Sequence, residues 1–167
     1  MRLFPLHIIK RDDGQPYLKR WTLFNFFGLF KIRLHHILLS DYDCVHDHPW
    51  WFITWIIKGG YWEYEPVEQF EKRCGIASAH YWMIINQVPT YRGRWSLLYR
   101  PSTFKHRIAL QEIFDGKRGL IGNIMDGPKL KTAWTLVIMG RSKRLWGFWT
   151  KMGFIPWFNY QSTQKCD

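Results

Sequence analysis

The sequence predicts an all-β chain, its strands forming a closed or sandwiched barrel. Its apolar runs are short and are punctuated by Gly, Pro, Asn and Asp, the spacing of many brief strands joined by turns. The longest of them, residues 50–57, is apolar at every position but Thr54, as in a strand covered on both faces. With 11 Trp, 12 Phe and 8 Tyr in 167 residues, the chain is too aromatic for disorder. That much ring surface fills a thick core or offers a face for a flat ligand.

Taken in order, strands are expected at 33–39, 50–57, 61–64, 80–85, 95–99, 106–110 and 134–139. Turn signals separate them at 41–43, 58–60, 86–93, 100–103 and 115–116. Residues 22–30 have a weak helical look, interrupted by Gly28. Residues 111–132, rich in Gly and Lys, are expected as a long loop or hairpin over one end of the barrel. No repeat or linker divides the chain, so residues 1–167 are read as one domain, with extensions packing on a core at 33–140.

Charge is uneven. Residues 1–85 hold 10 Lys/Arg against 9 Asp/Glu, and residues 86–167 hold 14 against 4. The imbalance points to an anionic partner, such as a nucleotide or an acidic metabolite, with a basic surface kept for solubility as the alternative. The start, MRLFPLHIIKRDDG, is too short and broken an apolar run for a signal peptide. No stretch approaches the roughly 20 apolar residues of a membrane helix. A cytoplasmic protein without membrane contact is expected. The three cysteines, Cys44, Cys74 and Cys166, are scattered and form no CxxC, which supports neither a thiolate metal site nor a disulfide framework.

The chemistry concentrates in Cys44-Val45-His46-Asp47-His48-Pro49-Trp50. On a strand, residues i and i+2 leave the same face about 6.5–7 Å apart, so His46 and His48 can converge on one ion while Asp47 points away. His46-x-His48, with Gly59 downstream, resembles the first motif of the cupins. Arg100-Pro101-Ser102-Thr103-Phe104-Lys105-His106 resembles the second, in which a proline precedes a ligand histidine by five residues. The stretch HDHPW, then Gly59-Gly60-Tyr61-Trp62-Glu63, His106-Arg107, Trp134-Thr135-Leu136 and Trp146-Gly147-Phe148, is similar to a set of small cupin proteins, some of them phage-encoded. Two positions depart from the pattern. The usual cupin glutamate falls at Phe52 or Ile53, and the glycine and asparagine of the second motif are Thr103 and Leu110.

The resemblance implies a cupin double-stranded β-helix and a three-histidine site, His46, His48 and His106, similar to thiol dioxygenase-like cupins. Such a site implies one divalent transition metal, Fe(II) foremost and otherwise Zn, Ni, Cu or Mn. Glu63 is the candidate to replace the missing carboxylate, as ligand or as catalytic general base, unless it is a solvated hairpin residue. Arg92, Arg94 and Arg100 are candidates to clamp a substrate anion, and Trp50 and Trp134 to stack a ring. Two functions remain open: a metal enzyme with oxygen-dependent or hydrolytic chemistry on a small anion, and a sponge that sequesters a nucleotide or phosphorylated signal. A nucleic-acid accessory role is a weaker third. No helix-turn-helix, zinc-finger or RNA-recognition signature is present, and an oligomer is compatible with the fold.

Overall fold

The computed structural model describes residues 4–42, 44–75, 86–113 and 129–160. In chain order the elements are β1 (Leu6–Lys10), β2 (Pro16–Phe26), β3 (Phe30–Ile37), β4 (Val45–His46), β5 (Phe52–Lys58) and β6 (Gly60–Pro66). Then come α1 (Val67–Cys74), β7 (Gln87–Gly93), β8 (Leu97–Arg100), β9 (Arg107–Ile113), β10 (Lys129–Lys131), β11 (Ala133–Gly140), β12 (Gly147–Thr150) and β13 (Gly153–Pro156). The chain is all-β, as expected.

A six-stranded sheet runs β1-β2-β3-β11-β5-β8, a four-stranded sheet β10-β9-β6-β7, and a three-stranded sheet β13-β12-β4. All the pairings are antiparallel. Alternation decides which side chains face inward. On β11, Ala133, Thr135, Val137 and Met139 are buried while Trp134, Leu136 and Ile138 are partly exposed. Ile37, Ile56 and Ala133 of the large sheet pack on Tyr61, Ile108 and Leu110 of the four-stranded sheet, which closes one end. A second cluster, Phe52, Val137 and Met139 with Trp50 against it, lies farther along β11.

Several elements differ from the sequence reading, each for a local reason. Residues 22–30 are a hairpin: Phe27 (φ 46°) and Gly28 (φ 75°) turn the chain, and the Leu29 N–H donates to the Phe26 carbonyl at 2.8 Å. Residues 87–93, expected as a turn, are a strand. Pro89 is tolerated there because β7 is at the sheet edge, where a missing N–H costs no ladder bond. The run at 50–57 is covered on one face only, since Trp55 on β5 is 39% exposed. The helix α1 was not anticipated, although Glu68 in its first turn, Lys72 and Arg73 in its last, and Gly75 as a left-handed cap (φ 68°) are helix-end signals. The stretch 111–132 begins and ends as the paired strands β9 and β10. The expected strand at 80–85 and turn at 115–116 lie outside the described residues. Cys44 is fully buried and disulfide-bonded, a bond of which the cysteine spacing gave no sign.

Gly59 makes the tight β5–β6 turn. Its φ is 77°, and a Cβ there would meet the Thr132 carbonyl oxygen at 2.4 Å. The turn sets the register that carries Tyr61, Glu63 and Glu65 inward on β6.

Candidate metal centre

His46, on β4, and His106, the residue just before β9, are joined backbone to backbone. The His46 N–H donates to the His106 carbonyl at 2.8 Å, and the His106 N–H returns a bond to His46 at 2.9 Å. β4 also pairs with β12, Phe148 opposite His46. Asp47, 1% exposed, secures that seam. It accepts from the Gly147 N–H at 3.1 Å and the Trp149 Nε1–H at 3.4 Å, and it pairs with Arg144 at 2.8 Å. With Asp47 so anchored, His46 and His48 are turned together toward His106.

One nitrogen from each of His46, His48 and His106 lies within 4.8 Å of the others. His48 Nε2 and His106 Nε2 are 3.0 Å apart. Nitrogens that share an ion at about 2.1 Å sit at comparable separations. His46 Nδ1 is buried without a hydrogen-bond partner, 4.0 Å from Asp41 Oδ2. Three imidazole nitrogens, one from each histidine and all within 4.8 Å, are a donor set that suits a transition metal, so the residues fit such an ion. Phe52, Phe104, Trp146 and Phe148 surround the three rings.

Glu63 orients the third histidine. Its carboxylate, 2% exposed, accepts from His106 Nδ1–H at 2.9 Å, Arg92 Nε–H at 2.9 Å and Arg100 Nε–H at 3.1 Å, and again from Arg100 Nη2. Four hydrogen bonds fill the roughly four acceptor positions of a carboxylate. A proton held on Nδ1 leaves the His106 Nε2 lone pair for a metal. Burial opposes ionisation of Glu63, but the bonds from His106 and Arg100 outweigh it and hold the carboxyl well below its ordinary range.

Burial keeps the other two histidines neutral. His46 is brought down to about 4, desolvation exceeding the pull of Asp41, and His48 falls well below its ordinary value for the same first reason. Neutral imidazole is the ligating form.

No protein-family model and no curated protein matches the sequence. Solved structures do match. A cupin-2 domain from Rhodospirillum rubrum superposes with a TM-score of 0.55 at 11% identity, over 92% of this chain and 80% of that one. This chain has the cupin fold. The Fe(II) form of HppE gives a TM-score of 0.50 at 8% identity over 81% of this chain, which spans 56% of that one. A variant of PAC13 from Streptomyces with uridine gives 0.50 at 6%, over 92% of this chain and 87% of that one.

Other residues singled out from sequence fall in different places in the barrel. Arg92 and Arg100 are engaged with Glu63 rather than free to meet a substrate. Arg94 stacks on Trp95 at 4.4 Å and donates to the Ile57 carbonyl at 3.1 Å. Trp134 is on the outer face, stacked between His36 at 4.1 Å and Trp21 at 5.6 Å, because the residues on either side of it point inward. Trp50 packs against Phe52, Val137 and Met139. The ring beside the triad is Trp146, 6.3 Å from both His46 and His48. Its signal was present in the WGF stretch, but nothing in spacing separates it from the other ten tryptophans.

His35 also faces inward, opposite Thr135, and burial together with Arg20 and Arg33 lowers it to about 3. Because the folded value is depressed, the unfolded chain takes up this proton first as pH falls. Stability should therefore decline from about pH 6.5 toward pH 3, by up to about 1.4 kcal/mol per pH unit for this group. Urea denaturation of wild type and His35→Gln at pH 7 and pH 5 checks this: the variant should show the shallower pH dependence, and identical slopes would refute it.

Proposed function

We propose that this protein is a mononuclear metal enzyme of the cupin fold acting on a small anionic molecule, by oxygen-dependent chemistry or metal-assisted hydrolysis. The observation that carries the reading is the triad: three imidazoles converging on one point, His106 buried and His46 and His48 partly buried, with a carboxylate holding the tautomer of the third. A divalent transition metal held by His46, His48 and His106, Fe(II) foremost, would supply Lewis-acid or redox chemistry at its open positions. Glu63 is a positioning residue: its acceptor positions are filled, and it fixes His106 instead of exchanging protons with substrate. Phe52, Phe104, Trp146 and Phe148 exclude water from the triad, and Trp146 offers a flat face for a ring. Fe(II) in HppE and uridine in PAC13 support this reading, since both occur on the same fold.

One observation favours capture over turnover. Asp47 and Glu63, the carboxylates nearest the histidines in sequence and in contact, are both committed to fixed partners, so neither is a free base. The two readings part on stoichiometry. Metal-loaded protein given a molar excess of nucleotides and phosphorylated metabolites should convert more than one equivalent, read by mass spectrometry, and chelation should stop it. Capture of one equivalent, recovered intact on denaturation, would replace the enzyme with a sponge.

A further inference from the structure

A second polar cluster occupies the inner face of the six-stranded sheet. Residues directly opposite in an antiparallel pair share a face. His35 is opposite Thr135 on one side and Arg20 on the other, and Arg33 is opposite Val137 and Thr22. Thr135 and Val137 are buried at 1% and 6% exposure, so Arg20, Arg33 and His35 all project to the interior side. Arg20 and Arg33 are diagonal neighbours in this lattice, about 7–8 Å apart at the backbone, within reach of one another's guanidinium forks.

Among the described residues no carboxylate pairs with either arginine. Arg20 Nη2 donates to the ring nitrogen His7 Nδ1 at 2.9 Å. Arg33 Nε and His35 Nε2 are buried with no hydrogen-bond partner among the described residues. Burial first, and then the charge of Arg33, brings Arg20 down to about 10. Buried charges and donors are otherwise paired, because leaving them bare is costly. The cluster adjoins the triad through Val137, which is opposite Arg33 and packs with Phe52, whose ring is 4.7 Å from that of His48.

We propose that Arg20, Arg33 and His35 form a binding subsite for the phosphate of a small phosphate monoester, seated on the inner sheet face beside the histidine triad. Two guanidiniums match a dianion: a carboxylate would neutralise one and leave the other bare. Their planar forks suit phosphate oxygens in pairs, and neutral His35 adds an Nε2–H donor. Both arginines are only half buried, which leaves a path for a ligand. The subsite rests on the metal reading only for where the remainder of the substrate points.

Inorganic phosphate, uridine monophosphate and uridine, titrated by calorimetry against the purified chain, test it. Uridine monophosphate should bind at least about tenfold tighter than uridine, and inorganic phosphate alone should bind where acetate does not. Tight inorganic phosphate with no gain for the monoester would mark a free-anion site and overturn the monoester. Arg20→Ala and Arg33→Ala should each weaken phosphate binding about tenfold or more with metal content unchanged. Their melting temperatures should stay level or rise, because a like-charge contact is relieved; a purely structural arginine would lower them. Arg33→Lys keeps the charge and loses the fork, and should also weaken phosphate binding. Affinity unchanged across the arginine variants overturns the subsite. His48→Ala separates the two proposals: it should lose metal yet keep phosphate affinity within about threefold. Phosphate binding in a wild type that takes no metal sinks the metal reading alone, and metal without phosphate preference sinks this one alone.

Discussion

His46→Ala, His48→Ala and His106→Ala should each reduce bound metal from about one ion per chain to near zero, measured by elemental analysis after reconstitution and desalting. A site of three protein ligands cannot spare one and still compete with solvent and buffer. His36→Ala is the matched control. Its ring stacks on Trp134 on the outer face of the sheet, so the variant removes a partly exposed imidazole without touching the triad and should keep its metal. Equal metal content in wild type and His106→Ala would dismantle the centre. An ion retained by His46→Ala alone would reduce it to a two-histidine site built on His48 and His106.

Glu63→Gln should be the most damaging single substitution for the fold. The carboxylate is the sole acid holding Arg92, Arg100 and His106 together among the described residues. Breaking a buried ion pair by removing one partner typically costs about 3–5 kcal/mol, because it strands the opposite charges. That is a large share of the roughly 5–15 kcal/mol that holds a domain folded. Glutamine also turns an NH2 toward groups that donate. Urea denaturation should show the loss directly, and metal affinity should fall about 10–100-fold as His106 loses its orienting partner. A variant as stable as wild type, binding metal equally well, would show that the guanidiniums and His106 do not depend on the carboxylate.

The all-β class was legible because punctuation by Gly, Pro and Asn is local, and so were the strands that became β5, β6 and β11. His46, His48 and His106 were legible as candidates because two lie at strand spacing and the third follows a proline at a fixed interval. What sequence did not disclose were relations across the sheets. Glu63 reads as a hairpin residue until β6 is seen between β7 and β9, which bring Arg92 and His106 to it while β8 brings Arg100. Trp134 and Trp146 have the same local look, yet strand phase sends one outward and leaves the other beside the histidines. Arg20 and Arg33 stand in the half of the chain with nearly balanced charge, where a charge count draws no attention. Only the pairing of β2 with β3 puts them on the same inner face.

The backbone bridge between His46 and His106 bears on how the molecule comes to exist. His48 and His106 are 58 positions apart along the chain, and the contacts that join them cannot form until a long loop has closed. Chains dominated by such distant pairings fold slowly, in milliseconds to seconds. The ligand cage is therefore a late product of folding, complete only when the two sheets have met. An ion would then brake escape from the native state while leaving the rate of reaching it nearly untouched, so kinetic persistence, more than speed of maturation, is what metal supply would govern in a cell.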